Sequence, residues 1–197
     1  MDADSMADEV KQSLLEQYHD INVDHDWWDC TYEDFKQQMS EKGIHVDNIY
    51  FSGFWSQGDG ACFEGAVYVA DFANFMDIHN LSEKYPASKF MADWSELHLQ
   101  IAKEASHYCH ENTVGVYLRD NTGNPYEDFS TRWEVYDTMQ TLFNEEEYEL
   151  FELECEDIVK GYMRELYSRL EKEYEYLVSE EAVWETIVAN ELHLQAA

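Results

Sequence analysis

The chain has 197 residues, of which 45% are hydrophobic and 15% aromatic, and it sets 43 Asp and Glu against 12 Lys and Arg for a formal charge of −31. Six Trp, 14 Tyr and 10 Phe exclude a disordered acidic tail, which is poor in aromatics. The charge excludes direct binding to DNA, RNA or an anionic membrane through a basic patch.

In chain order the periodicities predict an α+β domain spanning 1–197, with an N-terminal helix inside 1–20 and a C-terminal helical part over 145–191. Val10, Leu14, Leu15 and Tyr18 share a stripe over 5–18, and Ser5 with Asp8 resembles a capping box. A second helix is expected over 27–42, with Trp27, Trp28, Phe35 and Met39 as its apolar content and Gly43 as its αL terminator. The segment 48–70 is rich in aromatic and β-branched residues and is broken by SQGDG. It predicts a central β-hairpin pairing Ile49–Trp55 with Cys62–Ala70, with Gly58 and Gly60 supplying positive φ. Phe90, Trp94, Leu97 and Ile101 suggest a helix over 86–105, and residues 107–118 look extended. A polar loop is expected over 120–128, while 129–143 mixes both periods. From Glu145 to Tyr176 there is no Pro, and Ile158, Tyr162, Leu166, Leu170, Tyr174 and Leu177 form a stripe. Ser179 followed by Glu180 and Glu181 is an N-cap that opens a last helix to about Asn190. The expected architecture is one small antiparallel sheet covered by helices, with long C-terminal helices.

Four cysteines (Cys30, Cys62, Cys109, Cys155) lie far apart with no CxxC pair, and no export signal or apolar run of roughly 20 residues is present. The expectation is a cytoplasmic protein with reduced thiols and no membrane partner.

The block NIYFSGFWSQGDGACFEG, the preceding DWWDCTYEDF, the later ELHLQIAKEASHYCHEN and the terminal LYSRLEKEYEYLVSEEAVWETIVANE resemble an uncharacterised protein family of bacteriophages, prophages and plasmids. The resemblance covers most of the chain from about 25 to 191. It implies a mobile-element context, with an antitoxin label on some members, and it supplies no catalytic residues. The chain is longer than the family pattern around 120–150, where its densest acidic run lies.

That run, EEEYELFELECED over 145–157, contains Glu145, Glu146, Glu147, Glu149, Glu152, Glu154, Glu156 and Asp157. Acids three or four residues apart on a helix stand about 5–6 Å apart, against about 3.4 Å between phosphates along a DNA strand. A row of carboxylates can therefore present a phosphate-like field to a basic groove. The expected function is inhibition of a host or defence nucleic-acid-binding protein by DNA mimicry, of anti-CRISPR or anti-restriction type. The partner is then a protein with a basic nucleic-acid-binding groove, met by a monomer or a homodimer. The structural alternative is a solvated helix face that serves solubility.

A second function rests on the hairpin, where Phe54, Trp55 and Gln57 stand near the tip and Asp59 caps its own backbone. This predicts an antitoxin-like or accessory interaction module. A third reading takes Asp59-Gly60-Ala61-Cys62 as resembling the D-G-x-C motif of ovarian-tumour-type cysteine proteases, with His107, His110 or His193 as base. That motif opens a helix, whereas Cys62 here enters a strand. His107, Cys109 and His110 are too few for zinc, and the 120–128 loop lacks the EF-hand pattern, so no metal or cofactor is expected.

Overall fold

The computed structural model describes residues 3–86, 97–120 and 145–192, and its architecture is α+β. The chain divides into two compact units, Glu33–Tyr167 and Met1–Tyr32 with Ser168–Ala197.

The first unit is built on a four-stranded antiparallel meander in the order β1 (His45–Phe51), β2 (Ala61–Val67), β3 (Leu97–Lys103), β4 (Val114–Asp120). Residues opposite one another across an antiparallel ladder share a face. The register therefore puts Ile49, Phe63, Val67, Leu99, Ile101, Val116 and Leu118 on one face. Asn48, Tyr50, Glu64, Gln100, Tyr117 and Arg119 fall on the other. All of the first set except Ile49 are buried. Helix α2 (Asp29–Glu41) contributes Phe35, whose ring lies 5.7 Å from that of Phe63. Helix α3 (Val69–Ile78) buries Phe72, Phe75 and Met76, and the short α4 (Leu81–Lys84) buries Leu81. The 33-residue helix α5 (Glu145–Leu177) adds Phe151, Cys155, Val159, Met163 and Leu166. Each large apolar side chain removed from water contributes about 1.5–3 kcal/mol, so this face is the main store of stability in the unit.

The end of α2 shows how locally some of this is determined. Gly43 has φ +79, its amide donates to Ser40 O at 3.0 Å, and the Ile44 amide donates to Met39 O at 2.9 Å. That is a Schellman motif, completed by burial of both Ile44 and Met39.

The second unit packs α1 (Ala3–Gln17) against α6 (Glu180–Ala189) through Leu14, Leu15, Val183 and Ile187. Asn22 ties its connection. The side-chain amide donates to Leu177 O at 2.9 Å, and the side-chain oxygen accepts from Thr186 Oγ1 at 2.8 Å. Ser179 caps α6 as predicted, its hydroxyl accepting from the Ala182 amide at 3.2 Å.

Several expectations need correction. Leu97–Lys103 is strand β3, not helix; LHLQIAK alternates apolar and polar residues, and this period of two outweighs the helical spacing read through Leu97 and Ile101. The second hairpin strand ends at Val67, and Val69 opens α3. Strand β4 begins only at Val114, after a 3-10 turn over Glu111–Thr113. Helix α1 starts at Ala3, so Ser5 lies inside it, and Val10 is 44% exposed. The buried stripe of α5 runs Tyr148, Phe151, Cys155, Val159, Met163, Leu166, Leu170, one residue round from Ile158 and Tyr162, which flank it half-buried. The expected helix over 87–96 and the loop and mixed segment over 121–144 lie outside the described residues.

Candidate functional site

The hairpin β1–β2 is paired from His45↔Ala66 to Phe51↔Ala61. Its connection, 52–60, is a self-bonded loop rather than a two-residue turn. The Ser52 amide donates to Gly60 O at 3.2 Å, and the Asp59 amide donates to Ser56 O at 3.0 Å. One carboxylate oxygen of Asp59 accepts from the Trp55 amide at 2.9 Å and the Ser56 amide at 2.6 Å. Asp59 thus fixes the loop as the sequence suggests. Gly58 has φ +96, and a Cβ there would lie 2.2 Å from the Tyr108 ring. Gly60 does not use positive φ; it is glycine because His110 backbone passes against it, with Cα 2.6 Å from an added Cβ.

The aromatic residues divide by role. Phe54 is half-buried, its ring 5.0 Å from Phe51 and 5.5 Å from Tyr167 of α5. It is the anchor that pins the loop to the unit. The Trp55 ring lies tilted 5.8 Å from that of Phe54 and remains 74% exposed, and Gln57 is exposed beside it. Behind the loop, Tyr108 packs between His107 at 4.0 Å and His110 at 6.1 Å. Thr113 holds that segment by donating to His110 O at 2.8 Å.

Cys62 sits directly below, opposite Tyr50 and fully buried. Burial pushes its thiol up to about 11, against a smaller opposing effect of the Thr113 hydrogen bond. A thiol at that value stays protonated at neutral pH and is a poor nucleophile. Cys62 also lies on a strand, without the helix N-terminus that a D-G-x-C nucleophile uses. His193, one of the possible bases, lies outside the described residues. The carboxylate next along the strand, Glu64, accepts from Tyr50 OH at 2.6 Å, which together with burial raises the Tyr50 phenol. Glu64 thus serves as a partner within the sheet. Among the described residues no group of three His, Cys, Asp or Glu is placed to hold a metal ion.

The acidic helix is more divided than its sequence suggests. Glu147 and Glu149 are exposed, Glu152 half-buried. Glu154 turns to the protein: it accepts from Lys84 Nζ at 2.5 Å and Tyr85 OH at 2.8 Å. Glu156 pairs with Lys160 one turn on, and Asp157 is 3.4 Å from Arg164. The side chains of Glu145 and Glu146 lie outside the described residues. At 100° per residue, Glu149, Glu152 and Glu156 align as one row, while Glu147, Glu154 and Asp157 point elsewhere. Two apolar residues interrupt the acids at the surface, Leu150 at 51% exposure and Leu153 at 61%. Neither they, Tyr108 nor Tyr167 were singled out from sequence. Exposed Leu in a charged run is a readable signal, whereas the partners of Phe54 and Glu154 lie 113 and 69–70 residues away along the chain.

A family model matches residues 27–180, which includes the whole sheet and its hairpin loop. The chain belongs to the family described as domain of unknown function DUF8835. The family match leaves out α1 and all of α6 beyond Glu180. No curated protein and no solved structure matches the chain. Among the described residues no helix is long and apolar enough to cross a membrane.

Proposed function

We propose that this chain is a protein-interaction module that docks the loop 52–60 into a partner and is drawn to that partner by charge. The observation that carries the reading is Trp55. A side chain of this size, 74% exposed, sits on a loop whose backbone is already fixed by Asp59 and whose base is pinned by Phe54. Aromatic anchors of this kind dominate interface energetics, and pre-organisation removes the ordering cost of binding. A charge of −31 selects a cationic partner surface and raises the encounter rate with it. Proteins that grip nucleic acid present such surfaces. With the resemblance to phage, prophage and plasmid proteins, the partner class is a host or defence nucleic-acid-binding protein, and the outcome of docking is its inhibition.

A second reading, polynucleotide mimicry by α5, is favoured by one observation: exposed Leu150 and Leu153 lie among Glu147, Glu149 and Glu152. Mimicry needs such apolar contacts to fix register, because exposed ion pairs give about 0–1 kcal/mol each. The pairing of Glu154, Glu156 and Asp157 with cations weighs against it.

The two readings separate in one experiment. The wild type, Trp55→Ala and a Glu147→Gln/Glu149→Gln/Glu152→Gln triple variant are measured against a panel of nucleic-acid-binding host proteins at low and high salt, with duplex DNA as competitor. Hairpin docking predicts that Trp55→Ala loses about 30-fold or more in affinity, while the triple variant mainly flattens the salt dependence. The reverse pattern assigns function to α5. Wild-type affinity in both variants overturns both readings.

A further inference from the structure

We propose that the helical unit carries a recognition site for one arginine side chain of a basic partner. This site lies wholly in the unit formed by 1–32 and 168–197 and stands independently of hairpin docking. A cavity of about 170 Å³ opens there between α1 and the turn that joins α5 to α6. Leu15 and Val183 form buried walls and Val178 a half-buried one. Glu16 and Glu180 stand exposed at the rim with Gln12, whose amide oxygen is a further acceptor.

The size and lining narrow the occupant. Pockets for drug-sized ligands and cofactors hold roughly 300–1,000 Å³, so this cavity suits a single side chain. Carboxylates above apolar walls require a group that is cationic at its edge and apolar on its face. The guanidinium is that group: it is planar, weakly hydrated, and offers five donors in a fork that matches carboxylates. A lysine ammonium is compact and strongly hydrated, and gives up more on entering beside Leu15 and Val183.

Charge complementarity supports a basic partner. This unit has sixteen acidic and three basic residues among its 62, a denser imbalance than in the sheet unit. Two features oppose this: His19 also lines the cavity, its ring nitrogen 2.8 Å from an Asp20 carboxylate oxygen, and Glu180 lies in the first turn of α6, the positive end of its dipole. That end is equivalent to roughly half an elementary charge. Glu180 and Glu181 supply two negative charges in the same turn, and Ser179 satisfies one of its free amides. The sum at the rim is anionic.

The test is an NMR titration of the full-length ¹⁵N-labelled chain with acetyl-arginine amide, and in parallel with acetyl-norleucine amide. The arginine probe is expected to move the amides of Gln12, Leu15, Glu16 and Val178–Val183 along a saturating curve, and the neutral probe to leave them in place. Glu16→Gln/Glu180→Gln weakens the arginine probe about ten-fold or more, since charge-assisted contacts are lost. Glu181→Gln removes one charge from the turn that holds Glu180, at a residue that does not line the cavity, and leaves affinity within about two-fold. The amide spectrum of each variant reports that the fold is kept. Linear shifts spread over the acidic surface, saturable binding of norleucine amide, or an equal loss in Glu181→Gln each overturn the proposal.

Discussion

At the scale of single residues, the loop 52–60 separates a structural side chain from an interacting one. Asp59 accepts two consecutive backbone amides, so Asp59→Ala leaves both without that partner and is expected to cost about 1–2 kcal/mol in a urea unfolding curve. Trp55 is 74% exposed, so Trp55→Ala is expected to stay within about 0.5 kcal/mol of wild type while weakening partner binding. The cysteines sort by burial. Cys30 is exposed, Cys109 half-exposed, and burial pushes the thiols of Cys62 and Cys155 up. Alkylation with iodoacetamide under native conditions, read by mass spectrometry, should label Cys30 first and Cys109 next, with Cys62 and Cys155 labelled only on unfolding. Glu154 links stability to pH. Burial opposes its ionisation, but hydrogen bonds from Lys84 and Tyr85 outweigh that and hold the carboxyl below its ordinary value. A depressed carboxyl stabilises above its unfolded value, and the stabilisation fades as pH falls through the folded value. Lys84 is raised chiefly by its hydrogen bond to Glu154, so its share is full at neutral pH and fades only as pH rises through the folded value, above the usual lysine range. Glu154→Gln should therefore lower the thermal midpoint at neutral pH, and the gap to wild type should close in acid below about pH 4.

At the scale of elements, local rules were legible where a residue's role depends on its chain neighbours. Gly43 ends α2 and Ser179 starts α6, both readable from residue type and position. Ser179→Ala is expected to cost about 1 kcal/mol in thermal unfolding monitored by circular dichroism. Rotation of a long helix is less legible. In α5 apolar residues occupy positions 158, 159, 162, 163 and 166, so two adjacent stripes fit the sequence almost equally well. Packing against the sheet unit selected Val159 and Met163 for the interior. Phe151→Ala, near the N-terminal end of the chosen stripe and 5.4 Å from the Tyr85 ring, should cost about 3–5 kcal/mol, the full penalty of a core cavity. Strand β3 is ambiguous in the sequence for a related reason. Leu97 and Ile101 are four apart and satisfy either a helix or an alternating strand, and only the ladder to β2 and β4 satisfies their backbone groups as a strand. The hairpin was legible because its break, SQGDG, and its flanking aromatic runs lie within one short stretch.

At the scale of the whole molecule, net charge is the dominant property. Forty-three acids against twelve bases cannot be neutralised internally, so most carboxylates face water whatever the fold. The ion pairs of Lys84, Lys160 and Arg164 spend basic residues on holding structure. The surplus acts at long range, and its reach falls from about 30 Å at 0.01 M salt to about 8 Å at 0.15 M. Association with a basic partner should accordingly slow steeply with ionic strength in stopped-flow measurement, while the dissociation rate, set by Trp55 and its surroundings, changes little. The family match spans the sheet, the hairpin loop and the acidic start of α5. The helical unit adds α1 and α6, and with them the cavity rimmed by Glu16 and Glu180.

The sequence by itself determined the quantities that are sums or nearest-neighbour effects: the −31 charge, the α+β class, the helix ends at Gly43 and Ser179, and a hairpin capped by its own Asp59. Tertiary structure alone decided which carboxylates serve the fold and which remain free to act outward. Glu154 was one acid among eight until Lys84 and Tyr85 met it, and Phe54 became an anchor rather than a second exposed aromatic because Tyr167 stands beneath it. Those contacts join residues 69 to 113 positions apart, and no local periodicity encodes which of several equivalent side chains will find the distant partner.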